Sequence, residues 1–292
     1  MMALARQALA MAPVADPISQ REFDFSDVDF RALAEIAYQH AGITLPEAKK
    51  NLLYGRLSRR LRALSLPSFE DYRQYLQENS GEELQLFINA LSTNHTEFFR
   101  EAHHFEHFTS AVVAPFLSAH PTGGKLRIWS AGCSSGEEPH TIALILHAEI
   151  KDLASRDVRI LATDIDTDVL RKASQGVFSA EAVSALPAKY RAPLSKADDN
   201  DSVTIDRKVC SLITFGHLNF MDETWPMRGP FDAIFCRNVR PLYRSAARRQ
   251  LALYRPFGIA ARHASAAETC RPYDLSANRV SPIAAVARTN GR

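Results

Sequence analysis

The chain has 292 residues and a mass of 32.5 kDa, with 46% hydrophobic and 23% charged residues, 12 Gly and 15 Pro. This is the composition of a globular protein of one or two domains, and it excludes collagen-like, coiled-coil and wholly disordered architectures. A net charge of +2 gives no overall case for nucleic acid or an anionic membrane. No apolar run reaches the roughly 18 residues of a bilayer span. The charge is uneven, however. Residues 240–292 hold ten Arg, no Lys and two acids, Glu268 and Asp274, so this tail carries +8 and the first 239 residues carry −6. The four cysteines, at 133, 210, 236 and 270, are far apart. That excludes a zinc-type CxxC pairing, and four reduced thiols in a cytoplasmic protein are expected. Met1 to Pro17 lacks the ordered regions of a signal peptide and reads as a frayed start.

Ser26 opens the first helix, with Asp29 three residues on completing a capping box. Phe30, Leu33 and Ala37 recur at helical spacing, and Gly42 stops the run. Pro46 suits the first turn of a second helix, which places Leu53, Leu57, Leu61 and Leu64 on one side. Lys49, Arg56, Arg59 and Arg60 form a neighbouring basic stripe. Phe69, Tyr72 and Leu76 predict a third helix, and Leu84, Phe87, Ile88 and Leu91 a fourth. Residues 20–92 are therefore expected to form a small helical domain, and residues 93–292 a second domain.

The pattern changes after Pro121-Thr122-Gly123-Gly124. Leu126 to Ser130 reads as a strand, Ala131 to Pro139 as a glycine loop, and Ile142 to His147 as a buried helix. Val158 to Thr163 is a second strand, ending at Asp164-Ile165-Asp166, and a helix follows through Val169, Leu170 and Ala173. Phe231 to Cys236 is a later strand. Strand, loop, helix and strand ending in an acid make a parallel βαβ unit, whose ligand site lies at the carboxyl ends of the strands. The fold class is α/β, a Rossmann-like domain behind a helical one. A small β subdomain is expected at about 181–218.

The loop reads G-x-x-x-G rather than G-x-G-x-x-G. The middle glycine, which a dinucleotide fold uses to approach a pyrophosphate, is Ser134 here, and this disfavours NAD and FAD. Gly132 and Gly136 let the backbone turn tightly beside a ligand. Asp164 sits where such folds accept hydrogen bonds from ribose hydroxyls. A nucleoside without pyrophosphate fits best, and S-adenosylmethionine is the common one.

Four segments carry a family resemblance. Leu91 to Phe105 (LSTNHTEFFREAHHF), Trp129 to Pro139 with Ser-Ser-Gly-Glu-Glu-Pro, Ala162 to Asp166, and Phe231 to Val239 occur in this order. Together they resemble the CheR-type chemotaxis receptor methyltransferases, over about residues 22–239. The resemblance implies transfer of a methyl group from S-adenosylmethionine to glutamate side chains of bacterial chemoreceptors, giving γ-methyl esters. It implies that Asn94, Thr96 and Arg100 touch the cofactor from the segment joining the domains, and that Arg100 also lies near the reactive methyl as the catalytic residue. It implies Glu138 at the cofactor's amino-acid end, Asp164 on the ribose, Asn219 and Phe220 around the adenine, and Arg237 and Asn238 completing the pocket. It further implies that Lys49, Arg56, Arg59 and Arg60 dock the acidic methylation helices of a receptor. A monomer without membrane insertion is expected.

His103, Glu106, His104 and His107 lack a His-Glu-x-x-His pattern, and the resembling family is metal-free, so no metal is expected. Trp129 reads as core or pocket wall and Cys133 as a small loop residue. In some family members the β subdomain grips a C-terminal receptor pentapeptide through a glycine-bearing loop. The corresponding Lys196 to Ser202 has no glycine, so dependence on such a tether is not expected.

The resemblance ends at Val239. Arg240-Pro241-Leu242-Tyr243 replaces an expected strand end, with Leu242 where the family has an active-site Tyr, and a change of reading frame near 239 would account for the Arg-rich tail. Two rival functions follow. One is a methyltransferase acting on nucleic acid through that tail, although the tail lacks interleaved aromatics. The other is a module that binds S-adenosylmethionine or receptor without turnover.

Overall fold

The computed structural model describes residues 21–197 and 201–237. The tail at 240–292, together with Asn238, lies outside these residues.

The helical domain comprises α1 (Asp27–Ala41), α2 (Lys50–Leu64), α3 (Phe69–Glu78) and α4 (Glu82–Leu91). Ser26 and Asp29 form the capping box at the start of α1, and Gly42 ends it at φ 66. Pro46 precedes a short 3₁₀ turn, Glu47–Lys49, that leads into α2. Leu53, Leu57 and Leu61 are fully buried against Leu33, Phe69, Tyr72 and Phe87. Burial of each leucine contributes roughly 2 kcal/mol.

The chain then runs through the linker at residues 92–102 into α5 (His103–Phe108), a π turn (Thr109–Val113) and α6 (Ala114–Ala119). The α/β domain is built from β1 (Lys125–Ala131), α7 (Glu137–Glu149), β2 (Asp157–Asp164), α8 (Thr167–Ala173), β3 (Val177–Ser179), α9 (Ala180–Ser184), β4 (Leu194–Lys196), β5 (Ser202–Ile205), α10 (Arg207–Cys210), β6 (Ile213–His217) and β7 (Ala233–Cys236). The main sheet has the order β6-β2-β1-β7, and all its pairs are parallel. Helices cover the sheet, so β1 is buried from Leu126 to Ala131 and reads as a continuous rather than alternating run.

A separate antiparallel sheet has the order β3-β5-β4. The range expected for the β subdomain, 181–218, needs correction at both ends. The antiparallel sheet begins at Val177, ahead of α9, and ends at Ile205. The strand at 213–217 pairs with β2 in the main sheet. Its short apolar run does not by itself say which sheet it joins.

The two domains meet beside β2. Gln85 of α4 donates to the Ile165 carbonyl at 2.9 Å, and Asn89 donates to Thr167 Oγ1 at 2.9 Å. Asn219, after β6, donates to the His40 carbonyl at 2.6 Å. Among the described residues no helix is long and apolar enough to cross a membrane.

Candidate active site

The loop between β1 and α7 makes its turn with three residues at positive φ: Gly132 at 80°, Ser134 at 51° and Gly136 at 99°. The Gly132 and Cys133 amides both donate to the Thr163 carbonyl, which ties the loop to the end of β2. Gly136 does not leave room for a ligand. A Cβ there would meet the Ala173 Cβ at 2.7 Å, so this glycine lets the start of α7 come close to the end of α8. Ser134, a non-glycine residue in the left-handed region, is strained. Two bonds hold it: its amide donates to Asp164 Oδ2 at 2.7 Å and its hydroxyl donates to the Asn94 carbonyl at 3.0 Å. The serine that replaces the middle glycine thus fastens the loop to the linker.

Asp164 ends β2 and is 8% exposed. Its other oxygen accepts the Asp166 amide at 3.0 Å. Burial pushes its carboxyl above the usual carboxylate range, against the pull of these backbone N–H groups. Asp166 caps α8 through the Asp168 and Val169 amides, and it accepts the Asn94 side-chain amide at 2.6 Å. Asn94 therefore joins the linker to both the loop and the end of β2.

Glu138, in the first turn of α7, accepts the Ser130 hydroxyl at 2.7 Å and lies 3.4 Å from Arg237 Nη1. Burial raises its carboxyl too, with Ser130 and Arg237 opposing. Arg237, just past β7, donates through Nη2 to the Arg100 carbonyl and to Glu101 Oε2, both at 2.6 Å, and it lies over the Phe105 ring. It also holds the Glu101 carboxyl below its usual range. The linker it clasps is strained, with Phe99 at φ 54 and Glu101 at φ 58. Arg100 directs Nη1 to the His95 carbonyl at 2.7 Å, and Thr96 is half-buried on the same segment.

The structure thus brings Asn94, Arg100, Glu138, Asp164 and Arg237 to one rim at the carboxyl ends of β1, β2 and β7. Asn219 follows β6, where the Leu218 amide bonds the Asp164 carbonyl at 3.0 Å. Its side chain is committed to His40 and to the Met221 amide, so contact with an adenine would fall to the backbone or to Phe220. Phe220 is half-buried, with its ring 5.3 Å from Trp225 and 6.2 Å from the fully buried Trp129. Trp129 is a core residue, its Nε1–H satisfied by Thr163 Oγ1 at 2.9 Å. Burial drives the Cys133 thiol well up, away from thiolate character. Sequence reasoning missed Ser130, Glu101 and Asp166. All three lie within the quoted motifs; Glu101 and Asp166 meet partners distant in sequence, Arg237 and Asn94, whereas Ser130 meets Glu138 eight residues on, across the glycine loop.

The basic stripe is divided. Lys49 and Arg59 face outward to different degrees, Arg59 being exposed. Arg60 forms a two-pronged pair with Glu83, which is 4% exposed and also accepts the Tyr72 hydroxyl. Arg56 is spent on carbonyls at the end of α4. Helical spacing located all four cations, but it could not show which had buried partners on another helix.

Two family models cover most of the chain. The all-alpha domain of CheR methyltransferases matches residues 28–92, and their SAM-binding domain matches residues 94–256. The chain belongs to the CheR methyltransferase family. The match runs on to residue 256, past Val239 where the motif resemblance ended. Chemotaxis protein methyltransferase 2 of Pseudomonas aeruginosa is 41% identical over 249 residues, covering 82% of this chain and 86% of the relative. The chemotaxis protein methyltransferases of Salmonella typhimurium and Escherichia coli are each 38% identical, over 80% of this chain and 82% of theirs. The protein is thus a methyltransferase with S-adenosylmethionine as methyl donor. The rim suits such a donor: two shielded carboxylates can face a ligand bearing sulfonium and ammonium charges as well as ribose hydroxyls.

Proposed function

We propose that this enzyme methylates glutamate side chains on the cytoplasmic helices of bacterial chemoreceptors, as a cytoplasmic monomer in chemotaxis. The observation that carries the reading is the convergence of the linker, the glycine loop and the ends of β2 and β7 on one rim, with Asn94 and Arg237 as its ties. The names of the relatives supply the chemotactic context.

In this reading Asp164 accepts the ribose hydroxyls and Glu138 faces the amino-acid end. Asn94, Thr96, Phe220 and Asn238 complete the pocket, with Arg237 bracing it. The bound S-adenosylmethionine supplies an electrophilic methyl on a sulfonium. A glutamate, with an unperturbed pKa of about 4.3, is already ionised at neutral pH and needs no general base. The protein's work is therefore alignment and exclusion of water. Arg100, anchored by one N–H to His95, offers its other donors to orient the incoming carboxylate. Exposed Arg59, with Lys49, attracts the acidic receptor surface.

The test is a methyl-ester assay with labelled S-adenosylmethionine on a receptor cytoplasmic fragment. Arg100→Ala is expected to lower kcat by about a hundredfold, the usual scale for loss of one oriented electrostatic contact. No base-labile label on the receptor, with base-stable label on RNA or DNA instead, would refute the glutamate reading.

A further inference from the structure

We infer that Arg56 is a positioning residue of the methyl-donor site: through it, helix α2 sets the linker segment that carries Asn94. Arg56 Nη1 donates to the Leu91 carbonyl at 2.6 Å and to the Ser92 carbonyl at 2.8 Å, with Ala90 O at 3.4 Å. Nη2 lies 3.5 Å from Thr93 Oγ1. These carbonyls close α4, where helical backbone has no further N–H to offer. A guanidinium placed there fills the orphan acceptors and also meets the negative end of the helix dipole. At Ser92 the backbone turns to extended geometry, φ −59 and ψ 143, so the grip falls where the linker begins.

Two residues later stands Asn94, whose amide bonds Asp166 and whose carbonyl accepts the Ser134 hydroxyl. The Ser134 amide in turn bonds the Asp164 carboxylate. A continuous run of hydrogen bonds and three residues of backbone therefore connects the middle of α2 to the acid at the end of β2. Arg56 itself touches none of the rim residues. Arginine suits this post because its planar fork can serve several carbonyls together, whereas a lysine ammonium is a point charge on a loose stem. The proposal moves Arg56 out of the receptor-docking set, and it rests on the reading that Asn94 and Asp164 border the cofactor.

The test is calorimetric titration of the full chain with S-adenosylmethionine in the absence of receptor. Arg56→Ala is expected to bind about tenfold more weakly, the scale of a lost charge-assisted hydrogen bond felt through one segment. Arg56→Lys should recover part of that loss. Arg62→Gln, on the same helix and paired with Glu22 at the surface, should leave affinity unchanged. In the donor-free protein, Arg56→Ala should speed amide exchange at residues 92–98 while the core of α2 stays protected. A double mutant with Ser134→Ala separates a local effect from general loosening. Because both residues restrain one segment, the combined loss should fall short of the product of the single losses. Full multiplicativity would overturn the inference. So would unchanged affinity in Arg56→Ala alongside weakened binding in Asn94→Ala. If Asn94→Ala and Asp164→Asn also bind normally, the site reading beneath it fails instead.

Discussion

Helix α2 and the β1–α7 loop both carry polar side chains to the boundary between the domains, but they hold them by different means. On α2 the apolar stripe seats the helix, with Leu53, Leu57 and Leu61 fully buried. The adjacent cations are long and adaptable, and neighbouring helices recruit some of them, Arg60 to Glu83 and Arg56 to the end of α4. In the loop the backbone itself is the scaffold. Gly132, Ser134 and Gly136 take conformations that side chains rarely adopt, and short polar groups with few rotamers lock them in place. A charge on a helix face is therefore poor evidence of an outward role until its partners are known. A polar residue inside a strained loop has far fewer alternatives.

This contrast is sharpest at Arg60. If it is an internal partner, Arg60→Ala leaves the buried Glu83 carboxylate without its cation, held only by the Tyr72 hydroxyl, and should cost about 3 kcal/mol in denaturant unfolding, on the scale of breaking a buried pair. A variant of unchanged stability whose KM for receptor rises would return Arg60 to the docking surface.

The loop side can be tested through His140. This residue is 1% exposed, and its ring Nδ1 donates to the Gly136 carbonyl at 2.8 Å, which leaves Nε2 facing the Cys210 thiol at 3.9 Å. Burial pulls the imidazole down to about 4 from an ordinary 6.5, with the Gly136 bond opposing. The unfolded chain takes up a proton near pH 6.5 and the folded one near pH 4, so the contribution is intact above 6.5 and is lost as pH falls towards 4. About 3 kcal/mol should disappear across that window, from 1.36 kcal/mol per pKa unit. His140→Gln should flatten this limb of the stability–pH curve. An unchanged limb would mean that another group controls it.

The smallest effect belongs to exposed Arg59. Arg59→Ala should raise KM for a receptor fragment severalfold, more so at low salt, with a stability change of about 0.5 kcal/mol or less. Salt-independent kinetics would remove α2 from the docking surface.

Much of the site was legible because its residues sit in short motifs whose local geometry the sequence imposes. Ser26 and Asp29 announced α1, and the run from Trp129 to Pro139 announced the strand, turn and helix around the rim. Partners separated by many residues were not legible. Glu101 with Arg237, Ser134 with Asn94, and Asn219 with His40 are joined across the fold, and no periodicity connects them. The limits of the β subdomain failed for the same reason: pairing across strands decides which sheet a short strand joins.

The sequence by itself determined the two-domain order, the helical stripe periodicity and the position of the glycine loop. Each of these depends on residues within a few positions of one another and on backbone preferences that act locally. Only the tertiary structure decided which cations remain outward, why Gly136 must lack a side chain, and how the linker is fastened to the ends of the strands. Those outcomes depend on which distant surfaces come within hydrogen-bond reach, and a side chain's role is set by the partner it meets there.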